Sequence, residues 1–136
     1  MTQSFVVDSS SLLAALFDEP DGSLYLDAML GADTCLMSTV TALEAGVVAA
    51  RRKGAGQAAA LDGLIEALGI VKVPFSDEHA ALALVAYEQF GKGRHPARLN
   101  LADCCSYALA RETGLPLLAK GDDFPQTDIN LVVVGE

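Results

Sequence analysis

Tryptophan is absent from this sequence, and aromatic residues make up only 6% of it. The core must therefore be built mostly from Ala, Leu and Val. No uninterrupted apolar run approaches the roughly 18 residues that a membrane helix needs. The N-terminal MTQSFVVDSS lacks the basic and long apolar regions of a signal peptide. Both absences lead us to expect a soluble, cytoplasmic protein without membrane association. Cysteine is scarce: Cys35, Cys104 and Cys105 lack zinc-ligand spacing and read as reduced, buried thiols. The two histidines, His79 and His95, also lack ligand spacing and are expected at the surface or in loops. Basic residues are few, 9 against 18 acidic ones, for a net charge of -9. That balance argues against nucleic acid as a ligand, unless a bound divalent cation inverts the local charge.

What is present is a globular composition, 51% hydrophobic and 20% charged over 136 residues, expected to form one domain spanning 1–136. Ser4 to Val7 reads as a first strand with Asp8 at its carboxyl end and Ser9 to Ser11 behind it as helix-capping hydroxyls. Leu12 to Phe17 opens a helix that Glu19-Pro20-Asp21-Gly22 interrupts, and Leu24 to Leu30 suggests a second. Thr34 to Met37 is a brief strand. Thr41 to Lys53 is an Ala- and Val-rich helix with a basic last turn before Gly54. Gln57 to Leu68 is a further helix, and Ile70 to Val73 is a strand closed by Pro74. Ser76 caps a helix from Asp77 towards Phe90, and residues 91–99 form a basic, Gly- and Pro-containing loop. Asn100 caps the next helix, Leu115 to Ala119 is a strand, and Leu131 to Val134 is a last strand, apolar throughout as if covered on both faces. Short apolar strands alternating with helices predict a three-layer α/β/α sandwich around a central, mainly parallel sheet. Ligands of such sheets bind outside the carboxyl ends of the strands.

Five acids concentrate the interest. Asp8 follows the first strand directly and is also a possible helix N-cap. Glu44 lies early in its helix, where Thr41 to Glu44 also matches a capping box. Asp103 sits three residues after Asn100, beside an apolar stripe of Leu101, Cys104, Cys105, Ala108 and Leu109. Asp122 and Asp123 follow Gly121 past a strand end, which is also ordinary turn chemistry. Each has an ordinary structural explanation alone. Together, the predicted topology brings them to one edge of one sheet, where carboxylates repel and raise one another's pKa. A hard divalent cation sustains such clusters, and oxygen-only donors favour Mg²⁺ or Mn²⁺ over zinc. Lys92, Arg94, His95 and Arg98 form a local basic cluster before the Asp103 helix. It reads either as a solvated loop or, through Lys92, Arg94 and Arg98, as a contact to nucleic-acid phosphates.

Three segments carry a family resemblance: Phe5 to Ser10 (FVVDSS), Ser38 to Gly46 (STVTALEAG), and Gly93 to Ile129 (GRHPARLNLADCCSYALARETGLPLLAKGDDFPQTDI). The chain resembles, essentially end to end, the PIN-domain ribonucleases of VapC type, the toxins of VapBC toxin–antitoxin pairs. The resemblance implies a PIN-like α/β/α fold, Mg²⁺- or Mn²⁺-dependent cleavage of RNA, inhibition by a VapB-type antitoxin, and a homodimer. By position, Asp8, Glu44 and Asp103 match the family's first three metal-site acids. Asp122 aligns with the fourth and Asp123 with a structural acid before Phe124, although a one-residue shift would exchange them. Asp8 and Asp103 are expected to hold the metal directly. Glu44 is left to bind directly, to act through water or a second metal, or to orient the nucleophile. Ser10 and Thr39 are the candidate hydrogen-bond donors to these carboxylates. Two other functions fit the acids less fully. A Mg²⁺-dependent phosphatase or phosphotransfer domain usually carries a second Asp where Ser10 stands, and a non-catalytic interaction module would use the acids only as helix caps.

Overall fold

The alternating apolar pattern resolves into four short parallel strands and six helices in a computed structural model, which describes residues 3–52 and 56–135. In chain order these are β1 (Phe5–Val7), α1 (Ser9–Leu16), α2 (Gly22–Leu30), β2 (Cys35–Ser38), α3 (Thr39–Arg51), α4 (Gln57–Ala67), β3 (Val71–Val73), α5 (Asp77–Phe90), α6 (Leu101–Thr113) and β4 (Leu117–Leu118). The sheet order is β3-β2-β1-β4. Phe5 registers with Cys35, Val6 with both Leu36 and Leu117, and Val7 with Leu118. The chain first builds outward from β1 through β2 to β3, then returns to place β4 on the other side of β1. The carboxyl end of β1 is thus the switch point at which open α/β sheets place their sites.

Side-chain alternation along β1 divides the core in two. Phe5 and Val7 pack with Leu12, Met29, Met37 and Leu61 on one face. Val6 packs with Leu99, Cys104, Leu109 and Leu117 on the other. Helices α1 to α4 therefore cover one side and α5 and α6 the other, which is the expected three-layer arrangement. The three cysteines are buried free thiols, and burial raises Cys104 to about 12 and Cys105 to about 11, leaving both protonated and inert.

The local structure departs from the sequence expectations in several places. The helix expected from Thr41 begins at Thr39, capped by Ser38, whose hydroxyl accepts from the Val40 N–H at 3.2 Å. Thr41 is therefore inside the helix, and the expected capping box with Glu44 does not form. Lys53 and Gly54, read as that helix's end, lie outside the described residues. The last strand is reduced to a single parallel bridge between Leu117 and Leu131, and Val133 is 69% exposed rather than covered. Leu101, placed on the apolar stripe, is 75% exposed and lines an open apolar cavity beside Ala83, Leu84 and Tyr87 of α5.

His79 departs as well, for it is buried rather than superficial. Its Nδ1 accepts from the Ser76 N–H at 3.3 Å, so Nε2 is the donor that meets Glu112 Oε1 at 2.6 Å. The Ser76–His79 capping box starts α5, and the bond to Glu112 ties that start to the last turns of α6. Replacement of His79 by Ala should lower the unfolding free energy by about 2 kcal/mol, through lost packing and an orphaned Ser76 N–H. Urea denaturation with an unchanged m-value is the check.

Candidate active site

Asp8 follows β1 immediately and is only 2% exposed. A carboxylate this deep must have its lone pairs met by donors. Oδ2 accepts from the Ser10 N–H at 3.1 Å and the Ser10 hydroxyl at 2.7 Å, so Asp8 caps α1 as well as facing the site. Oδ1 accepts from the Ser106 hydroxyl at 2.7 Å. Ser106 has spent its one proton on Asp8, so the Thr41 hydroxyl donates to it across 3.0 Å. Ser10 in turn accepts from the Lys120 N–H at 2.9 Å, and Ser11 donates to the carbonyls of both Asp8 and Leu118 at 2.9 Å. One acid thereby links β1, α1, α3, α6 and the exit of β4.

The remaining acids gather around it. Asp8, Glu44, Asp103, Asp122 and Asp123 line one cavity of about 370 Å³, together with Arg98, Asn100 and Lys120. Glu44 Oε1 accepts from the Ser9 hydroxyl at 2.6 Å. Asp103 Oδ2 accepts from the Asn100 N–H at 3.0 Å, and Asn100 Oδ1 accepts from the Asp103 N–H at 2.8 Å, a reciprocal box at the start of α6. Capping and clustering thus coexist in the same side chains. Gly121, at φ +114°, makes the turn that carries Asp122 and Asp123 to the rim, a backbone that a side chain would oppose.

Crowding acts on the ionisation of the acids. Burial, then the neighbouring Asp8 carboxylate, with smaller contributions from Glu44 and Asp123, raises Asp103 to about 7. Burial followed by Asp8 also raises Glu44, against the Ser9 hydrogen bond. Asp123, half-buried, is the member of the 122–123 pair that Asp103 feels, whereas Asp122 is exposed. The donor set fits a hard divalent cation, since every candidate ligand is a carboxylate oxygen. The Asp8, Glu44 and Asp103 carboxylates are oriented by the protein's own hydrogen bonds. Among the described residues no three His, Cys, Asp or Glu side chains stand ready-arranged for one ion.

Ser10 makes the contact expected of it, but Thr39 does not. The Thr39 hydroxyl is exposed and accepts from the Phe75 N–H at 3.2 Å, tying α3 to the segment after β3. The additional hydroxyls on the acids are Ser9 and Ser106, which the sequence reading passed over. Ser9 was visible beside Asp8, but nothing in the order of residues announced Ser106, 98 positions from its partner. Of the three basic candidates, only Arg98 lines the acid cavity, and its backbone adopts a left-handed φ of 53°. Lys92 is exposed outside the cavity, and the Arg94 guanidinium lies 5.7 Å over the Tyr87 ring.

Acids from four separate segments thus meet at the carboxyl edge of the central strand of a parallel α/β/α sheet, the place and donor set of a carboxylate-held cation site. The PIN domain family model matches residues 5–130, and the chain belongs to that family. The chain is 43% identical over 125 residues to "Ribonuclease VapC28" of Mycobacterium tuberculosis, covering 91% of this chain and 94% of that protein. The fold is shared with the Mycobacterium tuberculosis VapC20 structure, a sarcin-ricin loop cleaving toxin (TM-score 0.76, 19% identity, 94% and 98% of the two chains covered). It is also shared with VapBC2 of Rickettsia felis bound to a promoter DNA fragment (TM-score 0.72, 16% identity, 97% and 99% covered).

The Asp103 shift has a testable sign. Its folded pKa is raised, so the folded state holds a proton that the unfolded chain releases at a lower pH. The associated stability is fully present below about pH 4, the unfolded value, and is lost as pH rises through about 7. In chelator-treated protein, the thermal midpoint should therefore fall between about pH 4 and 7, and Asp103→Asn should flatten that slope.

Proposed function

We propose that this chain is a divalent-cation-dependent endoribonuclease, a single PIN domain acting as the toxin of a VapBC-type toxin–antitoxin pair. The observation that carries the reading is the convergence of Asp8, Glu44, Asp103 and the 122–123 acids on one cavity at the carboxyl end of β1. It is supported by membership of the PIN family and by similarity to a protein named as a ribonuclease. Asp8 and Asp103 hold Mg²⁺ or Mn²⁺, with Glu44 and the acid loop completing the site. Asp122 is the proposed fourth acid by alignment, and the proximity of Asp123 to Asp103 makes both worth separate substitution. A bound cation supplies Lewis acidity towards a phosphodiester and lowers the pKa of water. Ser10, Ser106 and Ser9 hold the Asp8 and Glu44 carboxylates in place. Arg98 contacts an RNA phosphate at the cavity rim, while Lys92 and Arg94 extend the basic surface away from it.

The partners proposed with this function are RNA, a VapB-type antitoxin and a second copy of the chain, in the cytoplasm. No described helix is long and apolar enough to cross a membrane. Leu30, Leu43 and Val47 expose apolar surface on α2 and α3, at 63%, 68% and 42%, in keeping with a protein partner on these helices.

Asp103→Ala and Asp8→Asn, the latter retaining the helix cap, should each reduce Mn²⁺-dependent RNA cleavage at least about a hundredfold, with the circular dichroism spectrum unchanged. Arg98→Ala should raise KM with kcat held, as loss of uniform phosphate binding requires. Folded, Mn²⁺-loaded protein that leaves a broad panel of structured and unstructured RNAs intact would sink the reading.

A further inference from the structure

The acids at 122 and 123 stand on the segment that joins β4 to the Leu131 bridge, and both ends of that segment are tied to elements bearing the other acids. At its start, the Lys120 N–H donates to Ser10 Oγ, the same hydroxyl that donates to Asp8. At its far end, Asp128 is gripped by α6. The Tyr107 hydroxyl donates to Asp128 Oδ1 at 2.6 Å, and Arg111 Nη2 donates to Asp128 Oδ2 at 2.6 Å and to the Tyr107 hydroxyl at 2.7 Å. Between these anchors the segment is stitched to itself. Gln126 donates its backbone N–H to the Asp123 carbonyl and its side-chain amide to the Asp122 carbonyl, both at 3.2 Å. Phe124 is buried in the core beneath.

Asp103, Tyr107 and Arg111 follow one another at four-residue steps along α6, so they share one face of a rigid helix. That helix therefore carries an acid of the site at its first turn and grips the opposite acid loop at its next two. The grip is poorly suited to a purely stabilising role. The Arg111 and Asp128 side chains are 44% and 53% exposed, and exposed ion pairs add little to global stability. What the contact does fix is the register of the loop, because the Tyr107 ring is packed in the core and its hydroxyl holds Asp128 at 2.6 Å.

We infer, on the basis of the cation site proposed above, that the Tyr107–Arg111–Asp128 clamp is a positioning device setting where Asp122 and Asp123 stand relative to Asp103. All three are positioning residues and touch no reacting atom. The test compares the wild-type chain with Asp128→Ala and Asp128→Asn by calorimetric titration with Mn²⁺ alone and by amide hydrogen exchange. Asp128→Ala should weaken Mn²⁺ binding about tenfold and speed exchange across residues 119–130, while the buried turns of α6 exchange as in wild type. Asp128→Asn, whose amide oxygen still accepts from Tyr107, should recover most of the affinity. Unchanged Mn²⁺ affinity in Asp128→Ala overturns the clamp even if the loop loosens. Weakened binding with faster exchange throughout α6 also overturns it, since the effect would then be general unfolding. A wild-type chain that binds no Mn²⁺ overturns the cation site itself, and the clamp's role with it.

Discussion

A carboxylate buried at the end of the central strand is the constraint on which the rest of this structure depends. Asp8 cannot be desolvated without donors, and an unpaired buried charge would cost several kcal/mol. The protein meets that demand from three directions: the α1 cap through Ser10, the α6 hydroxyl of Ser106, and Thr41 of α3 backing Ser106. The Ser11 hydroxyl holds the backbone on either side, at Asp8 and Leu118. Strands β1 and β4 and three helices are thus set relative to one another by the solvation needs of a single side chain. The run Ser9-Ser10-Ser11 makes sense in these terms, since each hydroxyl serves a different acceptor: Glu44, Asp8 and the paired backbone carbonyls.

The electrostatic consequence is a site that is costly in the folded chain alone. Asp103 is raised to about 7 by burial and by the other carboxylates, and Glu44 is raised in the same sense. The nearby cations relieve little of this. The Lys120 ammonium is committed to Glu19 at 2.8 Å, and Arg98 stands exposed at the rim. A divalent cation would offset the crowding directly. This reconciles a net charge of -9 with a polyanionic substrate, because the ion rather than the protein surface provides the local positive charge.

Strands and helices were largely legible because their signals are local. The strands expected at Ser4–Val7 and Ile70–Val73 form at Phe5–Val7 and Val71–Val73, and the caps at Ser76 and Asn100 lie where the sequence puts them. Failures arose where long-range packing decided the outcome. Leu131 to Val134 has the composition of a covered strand, yet it receives only one bridge to β4 and leaves Val133 in solvent. His79 has no local feature that marks it as buried, and it becomes so through Glu112, 33 residues away. Thr39 stands beside a strand end, as a hydroxyl supporting the site should, but the turn of α3 directs it to Phe75 instead.

The acids divide along the same line. Residue type and position after a strand or at a helix start singled out Asp8, Glu44, Asp103 and the 122–123 pair, because carboxylate chemistry and capping preference are properties of short stretches. That these acids share one cavity was decided only by the crossover that sets β4 beside β1, and by hydrogen bonds spanning 35 and 98 residues. The same holds for Tyr107, Arg111 and Asp128. The four-residue spacing of Tyr107 and Arg111 along the helix was available in the sequence, but the closure onto Asp128 was not. Periodicity reports which face of an element is apolar, whereas the partner of that face is chosen by the packing of the whole chain.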